Sequence, residues 1–121
     1  MGMTAPHLLM GRKGERLACR FLMKQGCDIL ARRFQARRGE IDLIALEGET
    51  LVFVEVKTRA SSAFGDPWEF VGWEKQQSLQ SAGEEFIVRY DLGRYAYRFD
   101  IVSVLAPGAP RQEIHWYRNA F

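Results

Sequence analysis

Three residues near the middle of the chain carry the plainest chemistry: Asp42 in GEIDLIA, and Glu55 and Lys57 in LVFVEVKTR. The second stretch begins as a buried strand, Leu51-Val52-Phe53-Val54, and then sets a carboxylate and an ammonium inside the same apolar run. A charge withdrawn from water is costly unless it has a partner. Between the two stretches, Glu47-Gly48-Glu49-Thr50 reads as a tight hairpin turn. Centring that turn on Gly48-Glu49 sets Glu47 across from Thr50, Leu46 from Leu51, Ile44 from Phe53, Asp42 from Glu55 and Glu40 from Lys57. Side chains alternate with period two, so the charged residues share one face, while Ile41, Leu43, Val52, Val54 and Val56 form a core surface on the other.

Two carboxylates facing each other across a ladder have Cβ atoms about 4.5–5.5 Å apart and repel. A divalent cation offsets that repulsion, and oxygen ligands with partly retained hydration are what Mg²⁺ prefers. Lys57, one step along from Glu55, can neutralise the site, polarise an attacking water or steady a phosphoryl transition state. The competing reading is a cross-strand ion-pair network, with Lys57 on Glu40 or Glu55 and Asp42 turned to solvent. The charges interrupt apolar runs on both strands, which favours the metal. Glu15 borders the apolar face of the first helix and can reach toward the sheet as a third carboxylate. It reads equally as a glutamate favoured by the helix dipole.

These residues need a frame. Residues 11–26 read as a helix with Leu17, Ala18, Phe21 and Leu22 on one face and Gly26 as its stop. Residues 27–34, 40–46 and 51–58 read as strands, 60–67 as a loop, 73–90 as a second helix, 97–105 as a strand and 113–117 as an edge strand. The resulting fold class is α/β: a single domain with a central mixed sheet flanked by helices. Residues 1–10 are expected to be a frayed leader and 11–121 the domain. With 47% hydrophobic and 26% charged residues among 121, the chain can bury one real core. It has no apolar run of about 18 residues, which excludes a membrane-spanning helix, and its start lacks the pattern of a signal peptide.

Cys19 and Cys27, if near one helix, stand roughly 12 Å apart, too far for a disulfide, and unpaired thiols suit a reducing cytoplasm. His7 and His115 lie at opposite ends of a chain without a CxxC, which argues against zinc. A net charge of +2 says little about nucleic acid; the clustering of Arg32, Arg33, Arg37 and Arg38 says more. That run is either a solvated loop or an edge that grips phosphates. Arg59 and Lys75 join the candidate nucleic-acid-binding group. Lys75 and Gln77 can contact a phosphate or the site lysine, or lie in solvent. Asp100 is expected to pair with Arg98 or with an arginine of the 32–38 loop. Trp68, Phe70 and Trp73 are expected to pack against the second helix, with stacking on unpaired bases as the alternative.

Asp42 followed by Glu55-Val56-Lys57 resembles the D…ExK core of the PD-(D/E)XK nucleases. The longer string is more specific. GERLA (14–18), GEIDLIA (39–45), LVFVEVKTR (51–59), FGDP (64–67), Lys75 and RFDIVSV (98–104) occur in the order of the YraN-like family, small bacterial proteins with a restriction-endonuclease-like fold similar to Holliday-junction resolvases. The resemblance implies that Asp42 and Glu55 bind Mg²⁺ or Mn²⁺, with the Val56 carbonyl as a further ligand. It implies that Lys57 is the catalytic lysine and Glu15 the first-helix glutamate. Glu40 is a secondary candidate, and Ile41 stands where the superfamily has proline. The implied activity is metal-dependent phosphodiester hydrolysis in nucleic acid, DNA first, with branched or damaged DNA as the candidate substrate. The alternative is a non-catalytic nucleic-acid-binding or complex-docking module. A homodimer would supply two sites for symmetric cleavage of two strands.

Overall fold

The computed structural model describes residues 6–61 and 71–121; Trp68, Phe70, the FGDP string and most of the 60–67 loop lie outside them. The element order is α1 (Pro6–Lys24), β1 (Asp28–Gln35), β2 (Glu40–Glu47), β3 (Thr50–Arg59), α2 (Trp73–Arg89), β4 (Ala96–Leu105) and β5 (Glu113–Tyr117). Every expected element forms, with ends within a few residues. The largest difference is at α1, which starts at Pro6 and so takes in residues 6–10 ahead of the expected start at residue 11. Proline suits a first helical position because its missing N–H has no intrahelical partner there. At the other end Gly26 takes a φ of 95°. The Cys27 N–H returns to the Leu22 carbonyl at 3.0 Å, the stop expected of that glycine.

The five strands form one mixed sheet in chain order, β1 to β5; only β3 and β4 run parallel, and α2 is the crossover between them. This is a single-domain α/β arrangement consistent with a restriction-endonuclease-like fold. Each face of the sheet buries its own core. On one face Ile44, Leu51, Phe53, Phe99 and Ile101 pack with Leu79, Ala82 and Phe86 of α2. On the other, Leu43, Ala45, Val52, Val54, Val102 and Val104 pack with Ala18, Cys19 and Leu22 of α1. Both cysteines are free and buried on that side. No helix among the described residues is long and apolar enough to cross a membrane.

The β2–β3 register is the expected one from Glu47–Thr50 through Leu46–Leu51 and Ile44–Phe53 to Leu43–Val54. The face assignment needs one correction. Ile41 packs with Phe34 on the α2 side, although Leu43, two residues on, faces α1. Arg33 explains the reversal. It takes a φ of 50°, and it stands across from Asp42, between the pairs Arg32–Leu43 and Phe34–Ile41. A left-handed residue within a strand turns its neighbours out of alternation, so both strands change face at this level.

Where α1 crosses β3 the backbones are close: a Cβ on Gly14 would overlap the Thr58 side chain. Gly14→Ala should therefore destabilise the protein by about 1–2 kcal/mol, overpacking exceeding the gain in helix propensity. Thr58→Ala should recover part of that loss in urea denaturation. A Gly14→Ala protein more stable than wild type would show that the crossing has room to spare.

Candidate functional site

The site lies just beyond the last β2–β3 ladder pair, Leu43–Val54. There the Asp42 side chain takes the place of a backbone partner: the Val56 N–H donates to its Oδ2 at 2.7 Å. Asp42 also hydrogen-bonds to Glu55, so the two expected acids meet, though not as a continued ladder pair. The β2–β3 ladder does not extend to Glu40 and Lys57; Glu40 pairs with Gln35 on β1 and is exposed. Glu55 is only 7% exposed. Lys75 reaches it from α2, with Nζ 3.3 Å from Oε2. The contact pairs charges without hydrogen-bond geometry, and Oε2 remains buried with no hydrogen bond.

The electrostatics follow from this crowding. The Asp42 carboxyl is pushed up to about 8, first by its withdrawal from water and then by the hydrogen bond and charge of Glu55; the Val56 N–H and Lys75 pull the other way. In the metal-free protein the Asp42–Glu55 pair thus keeps a proton well above the ordinary carboxylate range, which is how two adjacent acids relieve their repulsion without a cation. A buried carboxylate oxygen without a hydrogen bond, beside a second carboxyl, makes a pair of hard oxygen donors. One or two carboxylates completed by water or substrate phosphate is the usual protein share of a Mg²⁺ site. The residues fit Mg²⁺ or Mn²⁺. Lys57 follows Glu55 on the same side of β3, half-buried, in register with Ser103 of β4.

Residues 14–104 match the family described as "Uncharacterised protein family UPF0102". The chain is similar to a UPF0102 protein of Caldicellulosiruptor bescii, 50% identical over 115 residues, covering 93% of this chain and 96% of the relative. It is 47% identical over 113 residues to one of Solibacter usitatus, covering 92% and 84%. To one of Rhodococcus jostii it is 41% identical over 119 residues, covering 97% and 99%. The chain belongs to the UPF0102 family. This is a YraN-like group, as the motif string implied.

The matched UPF0102 segment contains Glu15, Asp42, Glu55, Lys57 and Lys75, but the fold does not gather all of them. Glu15 is held by Arg33, whose Nε donates to Glu15 Oε2 at 2.9 Å. Among the described residues no group of three or more His, Cys, Asp or Glu side chains is placed to hold a metal ion. The arginine run is divided. Arg32 and Arg33 point to the α1 side, and Arg32 Nη2 donates to Cys19 Sγ at 3.1 Å. Arg37 and Arg38 are exposed in the β1–β2 turn, where the Arg37 N–H donates to Glu85 of α2 at 3.0 Å. Arg59 is half-buried and donates to Ser103 Oγ at 3.4 Å. Trp73 does not pack against its helix; it is 73% exposed at the first position of α2.

Two features escaped the sequence reading. Arg12 and Arg16 of α1 line one cavity with Glu15, Arg32 and Arg33; their spacing of four, on a helix that also carries Glu15, was the available signal. Asp100 pairs with Arg98 as expected, at 3.0 Å from Nε, but it is also the centre of a larger network. It is fully buried and accepts from Trp116 Nε1 at 2.8 Å and the Asn119 N–H at 2.9 Å. Arg98 continues to Glu47 at 2.7 Å, and Glu47 pairs with Arg118 at 3.1 Å. Those two arginines hold the Glu47 carboxyl below its ordinary value.

Proposed function

We propose that this UPF0102 chain is a Mg²⁺- or Mn²⁺-dependent phosphodiesterase acting on nucleic acid, DNA first, in a reducing cytoplasm. The observation that carries the reading is the Asp42–Glu55 pair: two acids from neighbouring strands, one raised toward 8, the other with a buried oxygen that lacks a hydrogen bond. Asp42, Glu55 and the Val56 carbonyl would hold the ion. When bound it supplies Lewis acidity to a phosphoryl oxygen and to a water. With an ion bound, Asp42 would be deprotonated and Glu55 would turn from Lys75 to the ion. Lys57 then orients the attacking water or steadies the developing charge. Lys75, released from Glu55, is a cation at hand for the substrate phosphate.

Branched and single-stranded DNA incubated with Mn²⁺ should be cleaved by the wild type, and Asp42→Ala or Lys57→Ala should lose about 10²-fold or more of that rate. Equal background from all three proteins would sink the enzyme. A second reading has its own observation. The Lys75–Glu55 pairing and a protonated Asp42 neutralise much of the site without a cation, as a non-catalytic nucleic-acid-binding module would need. Calorimetric titration separates the two, because the module takes up no divalent ion. A homodimer would let either protein engage two strands.

A further inference from the structure

The cavity between α1 and β1 is about 340 Å³ and is lined by Arg12, Arg16, Arg32 and Arg33, with Glu15 as its one acid. Four guanidinium groups against one carboxylate leave a strongly positive concavity in a chain whose net charge is only +2. Arg12 and Arg16 have no acidic partner among the described residues. Arg32 and Arg33 are each anchored by one contact, to Cys19 Sγ and to Glu15 respectively. An anchored guanidinium keeps further N–H donors in its planar fork, the geometry that meets a phosphate. Low-dielectric walls concentrate such a field and draw in anions.

Position favours a polymeric phosphate. Arg33 lies in β1 between Arg32 and Phe34, whose partners Leu43 and Ile41 flank Asp42 in the neighbouring strand. Phosphates recur along one strand of a duplex about every 3.4 Å of axis. A strand that sets one phosphate at the Asp42–Glu55 pair therefore carries others on either side of it, and β1, which supplies Arg32 and Arg33, is the strand next to that of Asp42.

We propose that the α1–β1 cavity is a second phosphate subsite for a nucleic-acid backbone, built by Arg12, Arg16, Arg32 and Arg33, that works without a metal ion. It deepens the phosphodiesterase reading and rests on it for the class of ligand. Arg12 and Arg16 bind the phosphate directly. Arg33 is shared, because a phosphate that engages it competes with Glu15.

The test is fluorescence anisotropy of a labelled 20-nucleotide DNA strand and a branched duplex in EDTA, across a salt series. Arg12→Ala/Arg16→Ala should weaken binding about tenfold at low salt and lower the salt slope by about one per arginine removed. Arg12→Gln/Arg16→Gln gives the same readout if the alanine protein fails to fold. Arg94→Ala/Arg111→Ala, which removes equal charge elsewhere, should stay within about twofold of wild type. Unchanged affinity and slope in the cavity variants, or an equal loss in the control, overturns the proposal. Tripolyphosphate supplies the last arm. If the cavity variants lose thermal stabilisation by tripolyphosphate but bind DNA as wild type does, the cavity takes small anions only and the nucleic-acid assignment is overturned. All these arms run without metal. A failed Mn²⁺ cleavage assay with intact cavity dependence removes the enzyme alone, and active cleavage without cavity dependence removes the subsite alone.

Discussion

Asp42→Asn should raise the melting temperature in EDTA at pH 8 and abolish the stabilisation that Mn²⁺ gives the wild type. Asp42 has a folded-state value near 8 against an ordinary value of 3.8, so between those limits the folded state binds a proton that the unfolded state does not. Its contribution to stability is complete below about 3.8 and is lost as pH rises through about 8. Asparagine keeps an oxygen for the Val56 N–H and never ionises, so the variant escapes that loss. In Mn²⁺ the dependence reverses. The ion must displace the Asp42 proton, so wild-type stabilisation grows with pH. At free ion about 100-fold above Kd the gain is about 2.7 kcal/mol, roughly 10 °C for a domain of this size. Thermal melts in EDTA and Mn²⁺ at pH 6 and pH 8 check both halves. An equal Mn²⁺ shift in wild type and Asp42→Asn would place the ion elsewhere. Glu47 works in the opposite sense: its lowered carboxyl stabilises the fold above its ordinary range, and that help is lost in acid.

Asp100→Ala should cost about 3–5 kcal/mol, the penalty for breaking a buried charge pair by removing one partner. The loss strands more than Arg98. Trp116 Nε1 and the Asn119 N–H both lose their acceptor, and buried donors without acceptors are expensive. Asp100→Asn is not a mild change either, because its amide group would turn a donor toward a shell made of donors. Urea denaturation reads both variants. A cost below about 1 kcal/mol would mean that the network relaxes around the gap.

The hairpin was legible because its determinants are local. A two-residue turn at Gly48-Glu49 fixes the register as far as Leu43–Val54, and counting then brings the two acids to the same level, though not into a ladder pair. Gly26 as a helix stop was legible for the same reason. What stayed hidden is decided across the fold. Nothing in the order of residues marks Arg33 as left-handed, so the change of face at Ile41 could not be counted. Periodicity put Glu15 on the correct helix border, yet Arg33, eighteen residues on, is the partner it meets. Lys75 was singled out for phosphate or the site lysine, and the packing of α2 over β3 gave it Glu55 instead. Trp73 was read from its aromatic character, which predicts burial less well than its place on the first turn of a helix predicts exposure.

The Asp100 network also changes what the edge of the sheet means. β5 is an edge strand of five residues, the kind of segment that ordinarily frays first. Here its Trp116 and the Asn119 that follows are tied to a carboxylate inside the neighbouring strand, and the Ala120 N–H returns to the Phe99 carbonyl at 2.8 Å. Peeling β5 away would expose a buried anion stripped of two of its donors. Local opening of this edge and hydration of Asp100 are therefore one cooperative event, and the last strand shares the lifetime of the core.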